Sequence, residues 1–113
     1  MEDAFEKIFR ILIVACKNGE MTLTLYFITY ELRNREKNYS TFYDSIKNIG
    51  KDSCQCLTNV WFIYSDLKST DIYDKLRPLI EETDNLLISE ATYKNIAGWV
   101  SSDTIDFFKR NNS

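Results

Sequence analysis

Two periods of apolar side chains alternate along the chain, and each predicts one type of secondary structure. Residues 23–32 alternate in period two with largely apolar side chains on both faces, which predicts a central β-strand. Apolar spacings of three and four in residues 39–49 and 70–80 predict amphipathic helices. Pro78 should weaken or end the second helix, because it lacks an N–H. Short runs rich in β-branched and aromatic side chains predict three more strands, at residues 53–57, 60–65 and 86–91.

Both ends of the chain carry further helical patterns. Apolar residues between Phe5 and Leu12 are spaced as on one face of a helix, so residues 1–20 are predicted to form an amphipathic N-terminal helix. Met21 follows directly as an alternative start, so this helix is either packed on the domain or dispensable. The segment from Ser102 onward predicts a short C-terminal helix.

The order of these elements predicts an α+β fold, a ferredoxin-like βαββαβ sandwich with an added helix at each end. The length of 113 residues favours one domain at residues 21–113, with residues 1–20 as an accessory segment. Helices on one face of a sheet leave its other face exposed. Either the terminal helices or another subunit must cover that face, and we expect a homodimer.

Composition excludes several classes of site. The chain has no His, three Cys and a net charge of −3. The absence of His removes the commonest general base and transition-metal ligand, so a bound metal is expected to be Mg²⁺ or Mn²⁺ held by oxygens. The apolar run near the N-terminus is too short to cross a bilayer and lacks the pattern of a signal peptide. A cytoplasmic protein without membrane contact is expected.

A polar loop after the first predicted strand carries the candidate binding residues. Arg33, Arg35 and Lys37 place three cations within five positions, which indicates either contacts to phosphates or a solvated loop with local ion pairs. Nearby tyrosines either stack on bases or belong to the core. Further along the chain, an acidic run predicts a solubilising surface; its members are Asp66, Asp71, Asp74, Glu81, Glu82 and Asp84.

Seven stretches carry a family resemblance: YFITYEL at 26–32, YSTFYDSIK at 39–47, NVWFI at 59–63, DL at 66–67, DKLRP at 74–78, DNLL at 84–87 and AGW at 97–99. Together they resemble a family of small bacterial proteins labelled SinR-like. That family is similar in fold to the CRISPR adaptation subunit Cas-two and, more distantly, to VapD-type endoribonucleases. The resemblance covers the chain from Met21 to about Asn111.

The resemblance implies a nucleic-acid-associated homodimer in a defence or mobile-element context. In the Cas-two family a carboxylate directly after a Tyr ends the first strand, and two copies facing each other are proposed to hold a divalent metal for phosphodiester cleavage. The corresponding residue here is Glu31 after Tyr30, where the family pattern has Asp. Glu31 is therefore the implied catalytic residue and the implied ligand for Mg²⁺ or Mn²⁺.

Three functions remain open from the sequence, ahead of a ferredoxin-fold sensor of a small molecule, which ranks last because no phosphate-binding signature favours it. The first two are a metal-dependent DNA or RNA endonuclease and a non-catalytic nucleic-acid-binding scaffold. The alternative is a non-enzymatic protein-interaction module that docks through the open sheet face or an edge strand. The acidic net charge and the absence of His favour this alternative.

Overall fold

The structure, a computed structural model, describes residues 23–112, and the predicted helix at residues 1–20 lies outside this range. Within it, four strands form one antiparallel sheet in the order β2-β3-β1-β4: β1 (Thr24–Glu31), β2 (Asp52–Leu57), β3 (Val60–Ser65) and β4 (Asn85–Glu90). Three α-helices accompany the sheet: α1 (Ser40–Ile49), α2 (Ser69–Leu76) and α3 (Ser102–Asn112). The predicted α+β class and the central position of the first strand are confirmed.

The second predicted helix is shorter than its apolar pattern suggests. The apolar pattern extends over residues 70–80, and Pro78 was expected to weaken or end this helix; α2 ends at Leu76 and continues as a 3-10 turn at Arg77–Leu79. Pro78 has no N–H to donate to the carbonyl group of Asp74, so the α-helical ladder stops there. A second 3-10 turn, Tyr93–Asn95, follows β4.

One face of the sheet, here called the first face, is covered by α1 and α2. Alternating strand residues supply its side chains, and these are Tyr26, Ile28, Tyr30, Trp61 and Ile63. The helices contribute Phe42, Ile46, Ile72 and Leu76, which are all completely buried. This single cluster holds most of the buried apolar surface, and burial of that surface is the main source of folding free energy.

The opposite face, here called the second face, is covered by α3 over one half. Phe107 and Phe108 of α3 pack with Leu25 of β1, while Phe108 stacks edge to face on Phe62 at a centroid distance of 5.1 Å. Asp52 holds the end of the helix, because its carboxylate accepts a hydrogen bond from Arg110 Nε at 2.7 Å. The predicted covering of this face by a C-terminal helix is therefore correct for one half.

Described residues do not cover the other half of the second face. Leu57, Val60, Thr29 and Leu87 are successive cross-strand partners, and they form a row across all four strands, here called the open row. Leu57 is 54% exposed and Leu87 is 59% exposed. Among the described residues, helices therefore cover the first face and about half of the second face.

Candidate functional site

Glu31, the predicted catalytic residue and metal ligand, lies exposed at the end of β1. Its Oε1 atom accepts hydrogen bonds from Asn85 Nδ2 at 2.8 Å and from an Arg33 guanidinium nitrogen at 3.1 Å. The hydrogen bond from Asn85 and the positive charge of Arg33 lower the pKa of Glu31. The carboxylate is therefore charged at neutral pH and already engaged with a cation of its own loop.

A shallow cavity of about 320 Å³ opens beside Glu31. Its lining brings together Thr29 and Leu87 of the open row with the side chains of Asn59 and Asn85. Asn59 donates its amide N–H to the Tyr30 carbonyl oxygen at 3.3 Å, which leaves its own amide oxygen available as an acceptor. One carboxylate and two amide oxygens are oxygen ligands of the kind that Mg²⁺ accepts.

A single copy does not supply a cluster of acidic ligands. No group of three or more Cys, Asp or Glu side chains within residues 23–112 is arranged to hold a metal ion. Mg²⁺ is usually bound through one or two carboxylates together with waters and substrate phosphates. Glu31 supplies one carboxylate, the lower end of that range. A metal ion bound here would therefore also need a second Glu31 or the phosphate groups of a substrate.

The three predicted phosphate-binding cations lie on one loop, residues 33–37, here called loop 33–37. Arg33 pairs with Glu31, and Lys37 Nζ pairs with Glu81 Oε2 at 2.9 Å. Arg35 is exposed and has no ion-pair partner among the described residues. The loop therefore contains local ion pairs, as the second interpretation expects, and within residues 23–112 the Arg35 guanidinium group has no ionic partner. Contact of these cations with phosphate groups stays a prediction.

Asp84 is the functional candidate that the sequence reasoning missed. We expected it to belong to a solubilising acidic surface, but only 6% of the residue is exposed. Its carboxylate accepts three hydrogen bonds: from the Arg33 N–H at 2.7 Å, the Tyr39 hydroxyl at 2.8 Å and the Glu81 N–H at 2.8 Å. Burial alone would raise the pKa of Asp84, yet these hydrogen bonds outweigh burial and lower it.

The tyrosines near the loop belong to the core and do not form a base-stacking surface. Tyr26, Tyr30 and Tyr39 are all buried. Burial raises the pKa of Tyr30 to about 12, and its hydroxyl accepts a hydrogen bond from Trp61 Nε1 at 2.9 Å. The most exposed aromatic ring of the described range is Trp99, which is 99% exposed in the segment between β4 and α3. The sequence analysis included Trp99 only as part of the AGW stretch at 97–99 and did not predict its exposure.

Comparisons with known proteins leave the site to be interpreted from its own geometry. No family model, no curated protein and no solved structure matches the chain. Among the helices of residues 23–112, none is long and apolar enough to cross a membrane. The function must therefore be inferred from the residues themselves and from the family resemblance.

Proposed function

We propose that the protein is a cytoplasmic, nucleic-acid-associated homodimer that contacts phosphate groups through loop 33–37. The observation that carries this proposal is the ordered conformation of a basic loop at the end of β1. Arg33 lies beside Glu31 there, Arg35 is exposed, and Asp84 and Glu81 bind the backbone and Lys37 of the same loop. The resemblance to SinR-like and Cas-two proteins supports this role and a defence or mobile-element context.

We also assign the βαββαβ unit to the ferredoxin-like arrangement. Two features support this assignment: the antiparallel strand order β2-β3-β1-β4, and the packing of α1 and α2 against one face. In this arrangement the end of β1 and the following loop lie next to the start of β4, as the hydrogen bond between Glu31 and Asn85 illustrates. Glu31 and loop 33–37 are therefore parts of one surface.

A dimer makes the proposal physically stronger. The net charge of −3 gives no general attraction to nucleic acid, so binding must come from a local group of cations. Two copies present two Arg33 and two Arg35 side chains, which can follow a phosphate backbone in register. Sedimentation velocity tests this part: we expect one species at twice the monomer mass, and a monomer at all working concentrations contradicts it.

The catalytic form of the proposal needs both copies of Glu31. Two facing carboxylates would complete the acidic part of a site for Mg²⁺ or Mn²⁺, which would polarise a phosphate oxygen and activate water. The lowered pKa of Glu31 suits a metal ligand better than a general base, because a base of low pKa is weak at neutral pH. We therefore place the scaffold role first and cleavage second.

Oligonucleotide binding measured as a function of salt tests the main proposal. The dissociation constant of a fluorescent single-stranded DNA or RNA should rise steeply between about 50 and about 200 mM salt, since phosphate contacts release counterions. Arg35→Ala should flatten the log–log slope by about 0.7 for each phosphate group that the variant no longer neutralises. Lys109→Ala, an exposed cation on α3 at the second face, is the matched control. Equal slopes for both variants, or no binding by the wild type, contradict the proposal.

Cleavage is tested with the same oligonucleotides in Mg²⁺ or Mn²⁺. If cleavage occurs, Glu31→Gln should abolish it while leaving binding in place, because the amide keeps the size but not the charge. Asp74→Asn removes one exposed carboxylate from α2 and serves as the control. Cleavage that survives Glu31→Gln shows that the assigned ligand is wrong.

A second candidate function, a protein-interaction module, is favoured by the open row. Leu57 and Leu87 leave apolar surface exposed on the second face, and Glu31 lies at its rim in the same cavity. This surface suits an apolar segment of a partner that carries a basic side chain. A photo-crosslinking residue at position 87 should then capture a defined protein, whereas one at Tyr73 on α2 should not. Capture of a second copy of this chain supports the homodimer instead.

A further inference from the structure

Asp84 joins three separate parts of the chain through one buried carboxylate. Its Oδ1 atom binds the backbone of Arg33, at the start of loop 33–37, across 51 residues of sequence. Its Oδ2 atom binds the hydroxyl of Tyr39, just before α1, and the backbone of Glu81, after the 3-10 turn. Hydrogen bonds to a buried, charged acceptor are roughly twice as strong as neutral ones.

Other contacts tie the same loop to the same segment. The Lys37 N–H donates to the Asn34 carbonyl oxygen at 3.1 Å, which closes a turn around Arg35. Lys37 Nζ lies 5.4 Å from the centre of the Tyr39 ring while it pairs with Glu81. The hydroxyl of Tyr39 also accepts the Asn34 N–H at 3.4 Å. Asp84 is therefore the buried centre of the contacts that shape the loop.

We propose that Asp84 is a positioning residue for loop 33–37, fixing where the Arg33 and Arg35 guanidinium groups lie relative to a bound phosphate backbone. The inference rests on the proposed function and adds to it the residue that orders the binding loop. Asp84 acts through the loop and does not touch the nucleic acid. The entropy of ordering a basic loop is then already spent in the free protein, which favours binding.

A positioning role of Asp84 and a purely electrostatic role predict opposite changes in nucleic-acid affinity. Removing a negative charge near a phosphate-binding loop should strengthen binding if the charge acts only through its field. Removing a positioning residue should weaken binding, because the cations lose their fixed arrangement. Asp84→Asn therefore gives opposite results under the two explanations.

The amide in Asp84→Asn cannot replace the carboxylate fully. Its oxygen can still accept the Arg33 N–H, and its NH₂ group can donate to the Tyr39 hydroxyl, but that NH₂ group then faces the Glu81 N–H. Loss of one charge-assisted hydrogen bond corresponds to roughly a tenfold change in the local opening equilibrium. Tyr39→Phe keeps the ring and removes the hydroxyl, which donates to Asp84 at 2.8 Å and accepts the Asn34 N–H at a longer 3.4 Å. The carboxylate of Asp84 stays in place, so this variant should give a smaller effect in the same direction.

The experiment uses two readouts on the full chain. Trypsin cleavage after Arg33, Arg35 and Lys37 reports how often the loop opens, without any nucleic acid. We expect roughly tenfold faster cleavage at these sites in Asp84→Asn, a smaller increase in Tyr39→Phe, and no change in Asp74→Asn. Single-stranded oligonucleotide binding should weaken in the same order, while Asp74→Asn binds as well as the wild type or better.

The outcomes separate the inference from the proposed function. Faster loop cleavage together with weaker binding supports both. Unchanged cleavage in Asp84→Asn and Tyr39→Phe, or binding by Asp84→Asn that matches or exceeds the control, overturns the positioning role and leaves the proposed function standing. If the wild type binds no oligonucleotide, the proposed function fails. The phosphate-positioning role then fails too, even where slow trypsin cleavage shows that the loop is ordered. If Asp84→Asn unfolds, as judged by circular dichroism, Tyr39→Phe alone decides.

Discussion

The two faces of the sheet differ in how far the described residues cover them. On the first face, Ile28 and Ile63 are completely buried beneath two helices. On the second face, α3 covers only the half around Leu25, and the open row at the other half leaves Leu57 and Leu87 more than half exposed. Folding free energy follows buried apolar area, so the first face should supply most of the stability. The open row is the part of the second face that the described residues leave exposed.

The candidate site lies where these two faces meet at one end of the sheet. Glu31 ends β1 next to the open row, and loop 33–37 continues directly into α1, which covers the first face. The loop is therefore anchored to the stable side through Asp84 and borders the exposed side through Glu31. A rigid scaffold that presents a polar loop is the usual setting of a binding site.

The largest expected effect comes from removing a buried side chain of the first face. Ile28→Ala should lower the free energy of unfolding by roughly 2–5 kcal/mol, because it deletes buried methyl groups and leaves a cavity in the central strand. Urea unfolding followed by circular dichroism measures the change. A loss below about 1 kcal/mol contradicts the assignment of the first face as the main core.

A smaller effect is expected where α3 covers the second face. Phe107 is completely buried, but it belongs to a helix at the edge of the described structure that can detach locally. Phe107→Ala should therefore cost about 3 kcal/mol, the low end for a buried phenylalanine, and should raise hydrogen exchange in α3 far more than in α1. Equal increases in both helices would show that the two faces unfold as one cooperative unit.

Most of the fold follows from local patterns. The alternation around Tyr26 and Ile28 identified a central strand with two apolar faces, and the spacing from Phe42 to Ile49 identified α1. The apolar pattern of α2 continues through Leu79 and Ile80, but Pro78 was expected to weaken or end the helix, and the α-helix does end just before it, at Leu76. Backbone chemistry overrode side-chain periodicity at that point.

The candidate site was less accessible to sequence reasoning, since its contacts join distant residues. Asp84 looks like one member of an acidic run, yet two of its three hydrogen-bond partners lie 45 and 51 residues away, and only the Glu81 N–H is local. Lys37 looks like a free cation, but Glu81 pairs with it across 44 residues. Glu31 was identified only through the family resemblance, and its metal-binding role stays a prediction.

The ion pair between Asp52 and Arg110, which holds α3 against the sheet, should contribute about 1 kcal/mol to the free energy of unfolding, and this contribution should depend on pH. Burial alone would raise the pKa of Asp52, but hydrogen bonds from Arg110 and Asn111 outweigh it and lower the pKa below its ordinary value of 3.8. A carboxylate with a lowered folded-state pKa stabilises the fold above the unfolded value and loses this effect as pH falls through the folded one. Asp52→Asn should thus be destabilising at pH 7, and the effect should disappear as the pH falls through the folded-state pKa, which lies below 3.8. A difference that persists in acid contradicts the charge-based explanation.

The smallest expected effect completes the comparison of the two faces. Leu87→Ala trims an apolar β-strand side chain, as Ile28→Ala does, but Leu87 is 59% exposed and should cost less than about 0.5 kcal/mol. Urea unfolding of both variants under the same conditions measures the contrast. If Leu87→Ala instead costs about 2 kcal/mol or more, the cost of a buried leucine, the open row is covered in solution. A cost that grows with protein concentration identifies the cover as a second copy of the chain, since association stabilises by mass action.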